Sequence, residues 1–267
     1  MRLSAALTGL ACAGLLALPH ARPAAAFQIV PHRAFYKMEL AGSRSSEVVD
    51  VNGDMVFEWA DSCDGWAVTQ RYRMTFLYTN GEQTEVDYSL VTWESKDGLR
   101  YRFFGHRREN GEDASEVRGD ATLDGPGQGG VAHYTQPEDK TLALPPGTLF
   151  PTAHSLRLLD RAEAGASLVY AQVFDGSDEK GLYDVSAVIV PRAAREPGDA
   201  SGEDDGIARW GVALAFYAVG SPAAEPEHEQ FVDLRSDGVS EDLRFDYGSF
   251  AVHAKLVKLE RLPPPSC

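Results

Sequence analysis

Hydrophobic and polar residues alternate with a period of two along most of the chain, which is the pattern of half-buried β-strands. From residue 66 to residue 78, one face of the predicted strand collects the large apolar side chains: Trp66, Val68, Tyr72, Met74, Phe76 and Tyr78. The opposite face carries Thr69, Arg71, Arg73 and Thr75. Asn80-Gly81 is a strong hairpin signal, and residues 84–93 alternate again as the returning strand. The N-terminal half is therefore predicted to be a meander of long antiparallel strands.

One segment breaks the alternation, "LPPGTLFPTAHSLRLLDRAEAG" at residues 144–165. Pro151 suits the first turn of a helix, Thr152 and Ser155 are available as caps, and Gly165 suits the end. An apolar stripe at helical spacing lies between them, formed by Leu156, Leu158 and Leu159. The segment predicts a helix from roughly Thr152 to Ala164.

Alternation resumes after this helix in six segments. These are Leu168–Phe174, Leu182–Val190, Ile207–Tyr217, Glu229–Arg235, Ser240–Tyr247 and Val252–Leu262. The whole chain then holds about 13 strands, and one helix cannot cover so many strands unless they wrap around it. The sequence predicts an all-β fold: a single large antiparallel spiral or barrel-like sheet with an internal helix, in one domain at residues 27–267.

The N-terminal residues resemble a cleavable secretory signal. Arg2 precedes an apolar run of about 16 residues, short of the roughly 20 that span a bilayer, and small residues follow at Ala24–Ala26. We therefore favour a signal peptide at residues 1–26, removed together with Cys12, over a membrane anchor. No later segment is apolar enough to span a membrane.

The net charge of the chain argues against some classes of binding partner. Removal of residues 1–26 takes away Arg2 and Arg22, so the net charge falls from -15 to -17. A surface this acidic repels nucleic acid and anionic lipid headgroups. Nucleic acid is therefore not an expected partner.

The mature chain keeps two cysteines, Cys63 and Cys267. In an oxidising compartment an isolated even pair is read first as a disulfide. Two free thiols, or an intermolecular link through the C-terminus, remain the alternatives. No Cys-x-x-Cys motif indicates a redox enzyme.

Candidate chemistry is sparse. The seven histidines show neither an i, i+4 pair on a helix nor a His-Glu-x-x-His motif, and no Gly-x-Ser-x-Gly elbow indicates a serine hydrolase. With 40 acidic residues, a glycosidase pair of carboxylates cannot be located. We predict no catalytic residue, no metal ligand and no cofactor. The aromatic residues are mostly core, but an incompletely filled curved sheet would leave an apolar cavity, and the sequence leaves both interiors open.

Four strings together resemble the EipB family of periplasmic cell-envelope integrity proteins: "WADSCDGW", "GTLFPTAH", "FDGSDE" and "LRFDYGSFAVHAKLVKLERLP" with its terminal cysteine. The resemblance covers nearly the whole mature chain. It implies a spiral, barrel-like antiparallel sheet with a helix inside, similar in outline to lipoprotein carriers, and an intramolecular disulfide between Cys63 and Cys267. It also implies a non-enzymatic role in the envelope, with functional links to other envelope proteins that include a tetratricopeptide-repeat partner.

From these observations we expect a periplasmic, non-enzymatic protein that supports cell-envelope integrity through binding or scaffolding. The alternative is a carrier of a lipid or lipoprotein in an apolar β cavity. An envelope hydrolase acting on glycan or peptide is the least favoured class, because it requires convergent carboxylates, or a nucleophile with a base, in one cleft.

Overall fold

A computed structural model of the protein describes residues 29–44, 47–193, 206–220 and 223–267. Its strands are β1 (His32–Ser43), β2 (Val48–Asp61), β3 (Gly65–Tyr78), β4 (Gln83–Ser95), β5 (Arg100–Glu109), β6 (Glu112–Leu123), β7 (Gly130–Gln136), β8 (Lys140–Leu144), β9 (Thr148–Leu149), β10 (Leu168–Phe174), β11 (Leu182–Pro191), β12 (Arg209–Ala218), β13 (His228–Arg235), β14 (Ser240–Asp246) and β15 (Phe250–Arg261). The helix is α1 (Pro151–Glu163). The signal peptide predicted at residues 1–26, with Cys12, lies outside the described residues.

All described strands join one 15-stranded sheet in the order β8-β7-β6-β5-β4-β3-β2-β1-β15-β14-β13-β12-β11-β10-β9. β1 therefore lies in the middle and pairs with both β2 and β15, so the first and last strands are neighbours. Every pairing is antiparallel except the short one between β9 and β10. The two ends of the sheet, β8 and β9, are consecutive in the chain and separated only by the turn at residues 145–147, which makes the sheet a nearly closed, barrel-like surface.

The loop between β10 and β11 bridges the gap between the two ends of the sheet. Tyr134 of β7 donates its hydroxyl hydrogen bond to the carbonyl of Asp178 (3.2 Å), and Lys140 of β8 donates to the carbonyl of Glu179 (2.7 Å). These bonds hold β7 and β8, at one end of the sheet, against the β10–β11 loop near the other end.

The predicted all-β fold with one helix is confirmed. β3 shows the predicted alternation, and Gly81 has a positive φ of 84° at the hairpin that follows it. α1 begins and ends one residue before the predicted bounds. The predicted count of about 13 strands is two below the 15 observed, since β8 and β9 are too short to show a period of two.

The interior has two parts that differ in content. Under β5 to β7 and β10 lies an aromatic cluster, in which Tyr101 stacks on Phe150 and Phe103 packs edge to face with Tyr134 and Phe174. Beside β10 to β13 the inner face of α1 packs instead through aliphatic side chains. No helix among the described residues is long and apolar enough to cross a membrane.

Candidate functional site

The helix is seated on the sheet by one buried carboxylate. Phe150, the residue before α1, offers no side-chain cap. Glu94 of β4 takes that role: the backbone N–H groups of Thr152 and Ala153 donate to its two carboxylate oxygens at 2.7 and 2.8 Å. The N-terminus of a helix carries partial positive charge and free N–H groups, which a carboxylate satisfies.

The capping residues predicted from the sequence were wrong. The chain enters the helix through Phe150 and Pro151, so Thr152 and Ser155 already have helical backbone and lie beyond the N-cap position. Ser155 donates its hydroxyl to the carbonyl of Pro151 instead (2.9 Å).

Two titratable groups at this seat are perturbed in opposite directions. Glu94 is 2% exposed, and its burial raises the pKa to about 7 although the two N–H bonds act in the other direction. His154 lies in the first turn of α1 and is also buried. Its burial, with the nearby Arg157, lowers the pKa of His154 to about 4. Both groups are therefore held toward their neutral forms.

A cavity of about 250 Å³ lies between α1 and the strands β1 to β3 and β12 to β14. Most of its walls are apolar, including Met55, Phe57, Trp59, Leu158, Leu214 and Leu243. The polar residues that line it include Gln70, Ser155, Gln230 and Ser240. The volume is close to the lower end of the roughly 300–1,000 Å³ of ligand pockets. Of the two interiors that the sequence left open, the structure has the cavity, and both aromatic and aliphatic side chains line it.

The carboxylates of the "FDGSDE" string shape their own loop. Asp178 accepts hydrogen bonds from the backbone N–H groups of Lys180 and Gly181 (2.8 Å each) and from the hydroxyl of Tyr183 (2.7 Å). Asp175 accepts from the backbone N–H of Ser177 (2.9 Å). These bonds form the turns of the β10–β11 loop and account for the residue types in this string.

A disulfide joins Cys63 and Cys267 across 204 residues of sequence, with a Cα–Cα distance of 5.9 Å. This is the intramolecular pairing that the resemblance implies. Cys63 lies in the β2–β3 turn at a φ of 68°, where its backbone N–H donates to the carboxylate of Asp61 (2.9 Å). The tryptophans on either side, Trp59 and Trp66, pack edge to face with ring centroids 6.4 Å apart.

A buried ion network lies where β12 to β15 meet the chain before β1. Arg209 and Arg235 both contact Glu241 (2.6 and 3.3 Å), and Arg235 and Arg261 both contact Asp237 (2.9 and 2.7 Å). The side chains of Arg209, Arg235 and Glu241 are less than a tenth exposed. Sequence analysis missed this network because its members are scattered over four strands and a turn.

Comparison with known proteins agrees with this architecture. The profile of the EipB-like family matches residues 23–263. A relative described as cell envelope integrity protein EipB, from Brucella abortus (strain 2308), is 31% identical over 246 residues, which cover 90% of this chain and 87% of the relative. A crystal structure of a β-barrel-like protein of a domain of unknown function, also from Brucella abortus, superposes with a TM-score of 0.81 at 29% identity and covers 89% of this chain and 100% of that one.

Proposed function

The chain belongs to the EipB-like family, and from this premise we propose that it is a periplasmic protein that supports cell-envelope integrity by binding, without catalysis. Periplasmic location is supported by the signal-like N-terminus and by the disulfide, since disulfides persist in oxidising compartments. The relative's name supplies the envelope role.

The observation that carries the binding proposal is the apolar cavity between α1 and the sheet. Protein cores are close-packed, and a void of this kind costs stability unless something occupies it. A purely structural scaffold would gain by filling the space with larger side chains. The cavity is instead lined by half-buried apolar residues, among them Phe57 and Leu243, which remain available to a ligand.

The chemistry of the walls favours an apolar ligand, namely the acyl chain of a lipid or of a lipidated protein. No charged side chain lines the cavity, and the amides of Gln70 and Gln230 suit an ester or amide group of such a ligand. Other envelope proteins, including the tetratricopeptide-repeat partner implied by the resemblance, remain part of the proposal as sources or recipients of the ligand.

The test compares filling the cavity with an equal change outside it. Leu243→Trp places an indole in the cavity, and Val257→Trp places one on the outer face of β15, where Val257 is 58% exposed. Each protein is purified from its native periplasm, and its organic extract is analysed by mass spectrometry. We expect a lipid or acyl species with the wild type and with Val257→Trp, and its loss with Leu243→Trp.

The same variants test the envelope role. In a strain lacking the gene, we expect wild type and Val257→Trp to restore resistance to detergent and Leu243→Trp to fail, with both variants present at wild-type level. Full rescue by Leu243→Trp together with an empty extract from the wild type would refute binding in the cavity.

A further inference from the structure

One strand of the sheet has an open edge. β10 pairs with β11 along its whole length, but on its other side β9 covers only Gln172 and Val173. Among the residues that the structure describes, no strand pairs with this side of residues 168–171. Helix α1 packs through Leu158, Leu159 and Ala162 against the buried face of β10.

The backbone groups of the open edge can be assigned from the ladder. Ile189 donates its backbone N–H to the carbonyl of Ser167 (2.9 Å), so residue 167 is hydrogen-bonded to β11. In an antiparallel pair such residues alternate with residues whose N–H and C=O point away. Val169 therefore bonds to β11, while Leu168 and Tyr170 present their N–H and C=O groups outward at the edge.

The side chains beside this edge are apolar and exposed. Leu168 is 46% and Tyr170 64% exposed, and across the ladder on β11 Val188 and Val190 are 47% and 53% exposed. We call these four residues the β10 edge patch. Proteins usually protect an edge with charge, proline or a bulge, and residues 168–171, Leu-Val-Tyr-Ala, have none of these.

We propose that the β10 edge patch is a strand-addition site that takes an extended segment of a partner protein, apolar at alternate positions and basic between them. Outward N–H and C=O groups at every second residue match the backbone of a β-strand, which pairs with an edge through main-chain hydrogen bonds. Alternate apolar side chains of the added strand would pack beside Leu168 and Tyr170, which lie between them and Val188. Basic residues between them suit a chain whose net charge is -15.

A second copy of this chain fits the edge poorly. Two such acidic copies repel each other. An edge of four residues also buries far less than the roughly 1,200–2,000 Å² of a stable protein interface. A flexible partner segment needs only the edge and the patch, with weaker affinity.

The probe is a synthetic octapeptide, capped at both ends, that alternates valine with lysine. Its binding to the full mature chain is measured by fluorescence anisotropy in physiological salt. The control peptide has the same sequence, with methyl groups on the backbone nitrogens of alternate residues, which face β10 when the peptide pairs with it. Methylation removes these N–H donors and so prevents strand pairing, while the charge stays the same. We expect the methylated peptide to bind at least about tenfold more weakly, since each lost 1.4 kcal/mol is tenfold.

Tyr170→Pro is the matched variant on the protein side. The N–H of Tyr170 points outward, so proline there blocks the edge without removing a bond to β11. Tyr170→Pro should weaken binding of the octapeptide at least about tenfold. Tyr170→Thr keeps the backbone donor and should weaken binding less. Equal binding of both peptides to the wild type, or no binding at millimolar peptide, would overturn the proposal even if Tyr170→Pro does not fold.

Amide hydrogen exchange of the free protein tests the edge directly. At low protein concentration the amides of Leu168 and Tyr170 should exchange rapidly while that of Val169 is protected, and the octapeptide should slow the first two. Protection of Leu168 and Tyr170 that rises with protein concentration, together with a dimer mass, would overturn the partner segment in favour of self-pairing.

Discussion

Glu94→Gln should change the pH dependence of stability, because the buried carboxylate that seats α1 binds a proton more tightly in the folded chain. Its pKa rises from an ordinary value near 4.5 to about 7. A carboxylate with a raised folded-state pKa stabilises the fold below the unfolded value and loses that contribution as the pH rises through the folded value. The loss between pH 4.5 and pH 7 is on the order of 3 kcal/mol, at 1.36 kcal/mol for each pKa unit.

His154 acts in the opposite direction over nearly the same range. Burial lowers its pKa from 6.5 to about 4, so the unfolded chain binds its proton more tightly. Stability then rises as the pH increases from 4 to 6.5, again by a figure on the order of 3 kcal/mol. In the wild type the two slopes offset each other between pH 4.5 and pH 6.5, and the helix seat contributes little net pH dependence.

The two single variants should separate these slopes. Glutamine resembles the protonated carboxyl of Glu94 and does not titrate. In Glu94→Gln the pH dependence of this site therefore comes from His154, and the stability of the variant should rise from pH 4.5 to pH 6.5. The stability of His154→Phe should fall over the same pH range, because only Glu94 then titrates at this site. The assay is urea unfolding followed by tryptophan fluorescence at half-unit pH steps from 4.5 to 8.5, with the wild-type free energy subtracted at each pH. If Glu94→Gln lost more stability at pH 8 than at pH 5, relative to wild type, the reasoning about Glu94 would be refuted.

Three further predictions concern stability. Cys63→Ser and Cys267→Ser break the same bond, so both should lower the melting temperature equally, with an entropic upper figure on the order of 5 kcal/mol for a loop of this length; unequal shifts, or none, would contradict this. Arg235→Met removes one of the two cations that contact Glu241 and leaves Arg209 in place, so it should cost less in chemical denaturation than the about 3–5 kcal/mol of a buried charge with no partner. Phe174→Ala removes a fully buried ring from the aromatic cluster and should cost about 3–5 kcal/mol in the same assay; a cost below about 1 kcal/mol would mean that this cluster is loosely packed.

The fold was largely predictable because each long strand is buried on one face. β3 and the hairpin after it follow directly from alternation and from Asn80-Gly81. β1 carries an equally clear signal, since Ala34, Tyr36 and Met38 are buried at alternate positions. The two-residue strand β9 had no periodic signal, because it is held by its pairing with β10 rather than by a buried face.

The site was less predictable, although one of its residues had a signal. Val86, Tyr88 and Leu90 set the inward face of β4, and Glu94 continues that face at an even position, where an unpartnered charge would be costly. A charged residue at an inward position implies a donor inside the sheet, and here the donor is the start of α1. The cavity had no such signal, because periodicity decides which face a residue takes and not how much volume its neighbours fill.

The pairing of β1 with β15 also sets the order in which the chain can be completed. His32 of β1 is aligned with Arg261 of β15, so this pairing cannot form until β15 has been synthesised. The strands β2 to β8 can pair with their neighbours as soon as each is made. Contacts so distant in sequence form slowly, since loop-closure entropy is lost before they stabilise anything. The disulfide lies at this joint and cannot form until the segment after β15 has followed the rest of the chain. The bond therefore forms late in folding and joins the segment after β15 to the β2–β3 turn once the sheet has closed.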